Sequence, residues 1–536
     1  MRRLKFVVFL GFLFLLVMSV PAFGEELKDS STVMLAQATS REDMRSELDA
    51  LKKKMDDMRS LEERIKTLEK KLQEAEKVTT KVKEEEAKLQ EDKKNRAIAY
   101  YRDGFFLETP DKNFRLQFGG VLHFDTRIFE SDRSASSFDI RRARYDMRGY
   151  LYKWDIEHMF RLQIEMADQP YLRNAYWMFK FRPEFNVQIG QFKIPSGGAD
   201  WLTEEAQVNF VEYATGTPVS PFFDRGINIH SFFLGGKIQT NLGAFTGAGI
   251  DTDVTQGDWD SNKDYVVRLL LVPFKGSNNK YVKGLHFAGS YQDGLQSIKT
   301  IRGEASSRTE NYESRWYRWK QPFVDLDNRR RYGGEFHWLV GSATLSYEFN
   351  RVEWENLKVY RYNGNSPNFS PSYKADQIKA TYSYPGRYHD DVHQVWVSYF
   401  LTGEEKTFED VFFSWRQPKP KKNFSLKDGT WGAWEVLARY AFHNTSSGLF
   451  TPQTVNGEDV TILEGSTKGY SLTGGLRWIW NPKVRIMLDA NYLKSTEGAG
   501  IQVAQTAGGT FDTNASGARA FKKSETAAML RLILTP

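Results

Sequence analysis

The segment EHMFRLQIEM, residues Glu157–Met166, alternates between two kinds of side chain. One set of alternate positions is apolar apart from a histidine, and it consists of His158, Phe160, Leu162, Ile164 and Met166. The other set is mostly polar, and it consists of Glu157, Met159, Arg161, Gln163 and Glu165. Successive side chains of a β-strand point to opposite faces, so this period of two predicts a strand with one apolar and one polar face.

The same alternation recurs through residues 104–536, in segments of about ten residues separated by clusters of Gly, Asn, Asp and Pro. In the neighbouring segment 174–181, NAYWMFKF, four apolar side chains oppose a mixed face that holds Lys180. In 434–440, WEVLARY, the polar face holds Glu435 and Arg439. In 483–493, KVRIMLDANYL, it holds Arg485 and Asp489. These segments predict an all-β domain.

Aromatic residues crowd the strand ends on the apolar face, as at Trp177, Tyr440, Trp478, Trp480 and Tyr492. Aromatic girdles around an apolar band are typical of strands that cross a lipid bilayer. An open sheet edge in hydrocarbon would leave backbone groups unpaired, so such strands must close on themselves. The sequence therefore predicts a transmembrane antiparallel β-barrel over 104–536.

The N-terminus predicts export. Arg2, Arg3 and Lys5 precede the apolar run Phe6–Val20, and small residues follow at a cleavage site, so 1–24 reads as a signal peptide. Cysteine is absent, which excludes disulfides, thiolate metal sites and cysteine nucleophiles. The formal charge of +6 falls to +3 when the three basic residues of the signal are removed, and no nucleic-acid partner is expected. We expect no cofactor.

A linker over 25–43 is followed by a second kind of pattern over 44–98. Apolar residues from Met44 to Leu89 recur at steps of three, four or seven, which are heptad steps. The segment predicts an imperfect coiled coil of about 50 residues, roughly 75 Å long at helical rise. The alternative is a single charged helix or a partly disordered spacer. After export, this segment is expected in the periplasm and the barrel in the bacterial outer membrane.

The segment FDIRRARYDMRGYLY, residues Phe138–Tyr152, lies on a predicted strand and is rich in arginine. An arginine that faces lipid at the bilayer midplane costs about 2–4 kcal/mol, so Arg142, Arg144 and Arg148 are expected to face the barrel interior. The same parity places further cations on the inner face: Arg161, Lys180, Arg268, Arg439, Arg477, Arg485 and Arg531.

Fixed positive charge along a pore favours anions over cations. The predicted function is passive diffusion of small anions, phosphate among them, or of polar solutes. The alternative is that luminal acids neutralise these cations, because residues 104–536 hold 52 basic and 48 acidic residues. Acids fall on the same polar faces: Asp146, Glu157, Glu165, Glu335, Glu348, Glu435 and Asp489.

Several segments carry a family resemblance. FDIRRARYDMRGYLYKWD and VQIGQFKIP (187–195) resemble segments of the phosphate-selective porin O and P family. RLLLVPF, RYGGEFHW, VSYFLTGEEKTF and WGAWEVLARY resemble successive family blocks in the same order, whereas the heptad segment lies outside the resemblance.

The resemblance implies an outer-membrane barrel of about 16 strands, with 18 as an alternative. Such barrels are usually trimeric, and their third loop folds inward to form a constriction lined by basic residues. Here that loop would run from about Lys193 to Phe223, with Lys193 and Arg225 at or beside the constriction. The loop departs from a basic site, because it holds four acids and no Lys or Arg between those two cations. This departure favours a general pore over a strictly phosphate-selective one.

An enzyme and a structural protein are two other classes of function. An outer-membrane hydrolase is disfavoured, because the eight histidines form no nucleophile motif. His389 and His393 are expected on a loop that enters a strand, where their spacing does not bring metal ligands together as it would on a helix. Neither a catalytic nor a metal site is predicted. A structural role remains open, in which the coiled coil contacts the cell wall or a periplasmic partner, or the barrel sheaths a partner protein.

Overall fold

A computed structural model gives the structure of this protein. It describes residues 40–102, 104–130, 136–153, 156–167, 170–214, 222–247, 249, 262–296, 306–312, 314–320, 324–362, 378–408, 414–416, 418–503 and 520–535. The predicted signal peptide 1–24 and nearly all of the predicted linker 25–43 lie outside these residues. The chain divides into two units, residues 1–91 and 92–536.

The N-terminal unit contains one long helix, α1, which spans Ser40–Asn95. Its sequence has neither Gly nor Pro and is dominated by Glu, Lys and Leu, which are strong helix formers. The heptad residues lie along α1 with exposed side chains, for example Leu48, Leu61 and Leu72. The predicted helix is confirmed, and its pairing into a coiled coil stays a prediction. Among the described residues, no helix is long and apolar enough to cross a membrane.

The second unit is built around 16 long antiparallel strands. In chain order they are β1 Phe114–Phe129, β2 Ser137–Lys153, β3 Ile156–Glu165, β4 Tyr171–Arg182, β5 Phe185–Lys193, β6 Phe223–Phe233, β7 Ile238–Phe245, β8 Asp264–Leu271, β9 Leu285–Gln296, β10 Val324–Val340, β11 Ala343–Tyr362, β12 Ile378–Phe400, β13 Ala433–Thr445, β14 Leu463–Asn481, β15 Val484–Gly498 and β16 Ser524–Leu534.

Each strand pairs with the next one along the chain, and the last pairs with the first. In the closing pair, Leu534 lies opposite Leu122 and Ala527 lies opposite Phe129. The sheet is therefore a closed barrel of 16 strands, which confirms the smaller of the two predicted strand numbers. Closure leaves none of these strands with an unpaired edge.

The two faces of the barrel wall differ as the alternation predicts. In β8 every second residue faces out and is apolar or aromatic, from Tyr265 to Leu271, whereas Asp264 and Arg268 face in and are buried. Aromatic girdles form at two levels: Trp434 stacks on Trp478 at 5.0 Å between ring centroids, and Tyr440, Tyr470 and Tyr492 lie side by side at 5.9 and 6.5 Å. Tyr470 and Trp478 are eight residues apart on β14, about 26 Å along the strand, which suits an apolar band of about 25 Å.

Connections at the two ends of the barrel differ in length. Residues 183–184, 341–342 and 482–483 form tight turns at one end, here called the short-turn end. Most connections at the opposite, long-loop end are longer, and they include 194–222, 297–323 and 499–523. The connection 401–432 is the exception, because it is long although it lies at the short-turn end. It contains two short paired strands, Thr407–Phe408 and Trp415–Arg416.

Candidate functional site inside the barrel

The loop 194–222 connects β5 to β6, and its described residues 194–214 cross the barrel interior. β5 ends at Lys193 and β6 begins at Phe223, which are the bounds expected for the inward-folding loop. Backbone N–H groups of the loop donate to acids of distant strands. Ala199 N donates to Glu335 Oε2 at 2.8 Å, Asp200 N to Glu348 Oε1 at 2.9 Å and Val211 N to Asp489 Oδ2 at 2.6 Å. The loop is thereby fixed to β10, β11 and β15.

The acids of the loop bind arginines of the wall. Glu205 Oε2 lies 2.7 Å from Arg144 Nη1, and the other oxygen of Glu205 accepts from Arg173. Glu204 Oε1 lies 2.7 Å from Arg161 Nη1. Glu212 Oε1 lies 2.7 Å from Arg531 Nη2 and 3.1 Å from Arg141 Nε. The loop therefore supplies the anions that balance three of the arginines predicted to face the pore, Arg144, Arg161 and Arg531, and two that were not predicted, Arg141 and Arg173.

Loop carbonyl groups bind the remaining arginines of the opposite wall. Arg439 Nη1 donates to Glu212 O at 3.1 Å, Arg477 Nε to Asn209 O at 2.6 Å and Arg485 Nη2 to Ala206 O at 2.8 Å. A guanidinium presents five donors in a fixed fork, so it can hold backbone carbonyls as well as anions. These side chains position the loop.

Ionisation of the loop acids follows from these contacts. Burial acts to raise the pKa of Glu212, but the cations Arg141 and Arg531 lower this pKa by a larger amount. The pKa of Glu212 therefore lies below the usual range for a glutamate. Burial likewise opposes ionisation of Glu205, and Arg144 and Arg173 bring its pKa well below the usual range. Both carboxyl groups therefore stay charged and hold the loop at neutral pH.

A β-bulge adds one arginine that the sequence reasoning missed. The register of β1 and β2 shifts after the pair His123 and Arg142, so that Phe124 lies opposite Ile140 and Arg141 is the extra residue. Arg141 consequently also reaches the interior, where it binds Glu212 and lies over the ring of Tyr312 at 3.7 Å. Strict alternation places Arg141 outside, and no signal in the sequence marks the bulge.

The predicted pore-lining cations all lie on inner faces, but they differ in exposure. Side chains of Arg148 and Lys180 are 36% and 31% exposed. The other six predicted residues are buried: Arg142, Arg144, Arg161, Arg268, Arg439 and Arg485. Several of the eight pair with acids on the wall, in the pairs Arg144–Glu165, Arg148–Asp146, Arg161–Asp146, Lys180–Glu157 and Arg268–Glu335. The neutralising pairs weighed in the sequence analysis are thus present.

Lys193 and Arg225 flank the loop as expected, but they have different surroundings. Lys193 Nζ donates to Trp201 O at 2.9 Å and to Thr203 O at 2.6 Å, so it holds the start of the loop. Arg225 lies opposite Gln191 on the face that also carries the exposed Ile227. By strand alternation this is the outer face, so Arg225 lies beside the loop but does not face the interior.

The connection 401–432 enters the barrel from the short-turn end, which the sequence reasoning did not anticipate. Trp415 packs on Phe408 and Trp396, at 4.1 and 4.9 Å between ring centroids. Trp415 N donates to Thr203 Oγ1 at 2.8 Å. This connection therefore contacts the crossing loop on the side that faces the short-turn end. Its length at an end where most connections are tight turns is the sequence signal that could have revealed it.

Apolar side chains fill part of the interior near the long-loop end. Residues of the connections, within 316–319, 449–462 and 501–503, pack against inward-facing residues such as Val352 and Trp354 of β11. Trp316, Tyr317 and Leu463 in this cluster are fully buried. An apolar cluster of this size leaves little open space inside the barrel on the β11–β15 side near the long-loop end.

Open space remains on the opposite side, along β1–β7. One cavity of about 400 Å³ is lined by wall residues including Gln117 and Asp146, and by Arg416 and Lys419 of the 401–432 connection. A second cavity of about 250 Å³ lies along β2–β7. The two cavities share four lining residues, Arg148, Arg161, Glu204 and Gln207. They are therefore adjacent compartments beside the crossing loop.

One cluster among the described residues has the donor types of a metal site: Glu335, His337 and Glu348. Its carboxylates already accept hydrogen bonds from the loop backbone, and Glu335 also binds Arg268 at 2.6 Å. In the structure, these oxygens hold the loop in place.

The family model of the phosphate-selective porin O and P matches residues 87–520. No curated protein sequence matches the chain. Similar solved structures include the outer-membrane channel DcaP of Acinetobacter baumannii, at 10% identity, TM-score 0.44, with 80% of this chain and 99% of that chain covered. In-vitro folded OmpT of Vibrio cholerae, in its trimer form, shows 9% identity, TM-score 0.43 and coverage of 79% and 99%. Salmonella typhi OmpF in complex with daunomycin shows 8% identity, TM-score 0.43 and coverage of 82% and 100%.

Proposed function

The chain belongs to the phosphate-selective porin O and P family, and on this premise we propose that its barrel is an outer-membrane channel for small hydrophilic solutes with a preference for anions. The charge of the two cavities beside the crossing loop carries the proposal. Two carboxylates line them, Asp146 and Glu204, against seven cations: Arg148, Arg161, Lys180, Lys193, Arg416, Lys419 and Lys483. Phosphate is one anion within the proposal.

This charge excess matters even though some of the cations have partners. A paired cation still contributes to the potential of the whole compartment, and low-dielectric walls focus that potential into the cavity. Arg148 and Lys180 are the most exposed of the predicted pore-lining cations, so they are the strongest candidates for direct contact with permeating ions.

We expect the purified full-length chain in planar lipid bilayers to give discrete conductance steps and an anion-selective reversal potential in a tenfold KCl gradient. Arg148→Ala should lower the anion-to-cation permeability ratio by up to about sevenfold, since a unit charge ~7 Å away in water changes the energies of an anion and of a cation by roughly 0.6 kcal/mol each, in opposite directions. The matched control is Arg387→Ala, whose side chain is 64% exposed and lies on the outer face. A cation-selective wild type, or equal shifts in both variants, would contradict the proposal. Phosphate added as a competitor tests whether it is preferred over chloride.

A second, structural role is favoured by helix α1, a 56-residue element in a separate unit that carries a stripe of exposed apolar side chains. We propose that this stripe pairs with the helices of other copies to form a coiled coil in the periplasm, that the channel is a homotrimer, and that α1 contacts the cell wall or a periplasmic partner. The other structural alternative is a barrel that sheaths a partner protein. That role would require the space inside the barrel that the crossing loop occupies.

Deletion of residues 44–95 tests this role. We expect unchanged single-channel conductance, because no residue of α1 lines the two cavities. Chemical cross-linking of whole cells should yield fewer three-chain species, and the outer membrane should detach from the wall more readily. The control is the full-length chain with Glu→Gln changes at Glu62 and Glu69, which leave the apolar stripe intact. Loss of conductance in the deletion would mean that the helix serves the channel itself.

A further inference from the structure

The cavity of about 250 Å³ has a lining unlike that of the rest of the interior. Met178 of β4, Gln188 of β5 and Asn228 of β6 lie directly opposite one another across neighbouring strands, so their side chains share one level of the inner wall. Asn174 and Asn241 line the same cavity. Gln207 of the crossing loop also lines it. Amide side chains therefore predominate among its uncharged polar groups.

The amide of Gln188 is the decisive group. The residue is fully buried, and neither its oxygen nor its nitrogen has a hydrogen-bond partner among the described residues. The side-chain oxygens of Asn228 and Gln207 are also buried without a partner in that part of the chain. An unpaired buried polar group costs about 1–3 kcal/mol, so three in one small cavity call for a ligand that can pair with them.

Three of the four cations at this cavity are already engaged. Arg161 binds Asp146 and Glu204, Lys180 Nζ lies 2.6 Å from Glu157 Oε1, and Lys193 donates to loop carbonyls. The fourth, Arg148, keeps donors to spare but has no acceptor. The amides are the uncharged groups that have both acceptors and donors to spare. Each amide offers a carbonyl oxygen as well as an N–H donor, whichever way it is turned. A ligand that offers only acceptors, such as chloride or a carboxylate, would leave the carbonyl oxygens unpaired.

Hydroxyl groups satisfy both halves of an amide, because each hydroxyl donates one hydrogen bond and accepts others. The remaining lining is apolar and includes Tyr176, Phe192, Met159 and Met178. Tyr176 and Phe192 pack edge to face at 5.9 Å between ring centroids. Such a surface suits the C–H face of a sugar ring. The volume equals that of about eight waters at ~30 Å³ each, which is room for one sugar ring.

We propose that this cavity is a binding subsite for a neutral polyhydroxylated solute of the size of a hexose, held by the amides of Gln188, Asn228 and Gln207. The subsite rests on the proposed channel function, because it lies within the interior assigned to permeation, and it names a solute class for that channel. The positive potential of the interior acts on ions over a distance, whereas the subsite binds by short-range hydrogen bonds. Anion preference and hexose binding are therefore compatible.

Equilibrium dialysis of radiolabelled D-glucose against the purified full-length chain in detergent tests the subsite. We expect saturable binding, and Gln188→Leu should raise the dissociation constant about tenfold, because it removes two hydrogen bonds to the ligand worth roughly 0.5–1.5 kcal/mol each. This variant breaks no described hydrogen bond of the free protein, so it should fold normally. The control is Asn350→Leu, which removes a buried amide of β11 outside the cavity.

Unsaturable binding to the wild type, equal weakening by both variants, or displacement of glucose by inorganic phosphate at equal concentration would overturn the subsite. Conductance of the same preparations in planar bilayers separates the two proposals. A conducting channel that binds no glucose refutes the subsite and leaves the channel function standing. A protein that binds glucose through Gln188 but never conducts refutes the channel function and leaves the subsite standing.

Discussion

Replacing residues 195–221 by a short Asn-Gly turn will raise the single-channel conductance several-fold, because this change removes the segment that crosses the interior. The graft is geometrically simple. Lys193 pairs with Phe223, and Ile194 N donates to Phe222 O at 3.0 Å, so the two ends of the loop already lie side by side. Asn-Gly suits a two-residue hairpin turn. Strand pairing around the barrel should be unaffected, because the 16 strands pair without the loop.

The same change should strengthen anion preference. The excised loop carries all four acids that the structure brings to the interior from this connection, namely Asp200, Glu204, Glu205 and Glu212. Their partners Arg144, Arg161 and Arg531 would then face water without these counter-charges. The reversal potential in a KCl gradient should move further in the anion direction as the conductance rises.

A matched deletion controls for general loosening of the barrel. Residues 276–279 form part of an exposed turn at the short-turn end and line neither cavity. Their removal should change conductance little. If the loop replacement leaves conductance at the wild-type value, the loop does not form the constriction, and the permeation path must be sought elsewhere.

Arg144→Ala is expected to lower the free energy of unfolding by about 3–5 kcal/mol, because it leaves buried carboxylates without their cation. Arg144 is buried, with Nε 2.6 Å from Glu165 Oε2 and Nη1 2.7 Å from Glu205 Oε2. The measurement is urea-induced unfolding of the barrel in lipid vesicles, followed by tryptophan fluorescence and by the heat-dependent mobility of the folded form in electrophoresis.

Arg148→Ala is the matched control, since it removes the same side chain from the same inner face of β2. Arg148 is about one third exposed and lies 3.2 Å from Asp146, so its loss should cost no more than about 1 kcal/mol. Adding Glu165→Gln and Glu205→Gln to Arg144→Ala should restore much of the lost stability, because the uncompensated charges disappear. Equal destabilisation by Arg144→Ala and Arg148→Ala would contradict the assignment of Arg144 to loop anchoring.

These variants divide the cations that the sequence analysis treated as one set. Parity along a strand is a local property, so it correctly placed Arg142, Arg144 and Arg148 on the inner face. The exposure of each arginine side chain, in contrast, depends on residues that are distant in the sequence. Arg144 meets Glu205 across 61 residues of chain and Arg531 meets Glu212 across 319. A sequence pattern contains no information about which distant carboxylate arrives at a given guanidinium.

The barrel followed from the sequence pattern, because alternation with period two, aromatic girdles and turn residues act over a few positions. Its strand number and the bounds of the crossing loop followed from the family resemblance of segments such as FDIRRARYDMRGYLYKWD and VQIGQFKIP. Three features required the tertiary structure. The bulge that brings Arg141 inside depends on the register of β1 against β2. The 401–432 connection enters the barrel because Trp415 packs against the ring of Trp396 and its backbone N–H donates to Thr203. The pairing of loop acids with wall arginines depends on closure of all 16 strands, since only closure brings residues from opposite ends of the chain to the same interior.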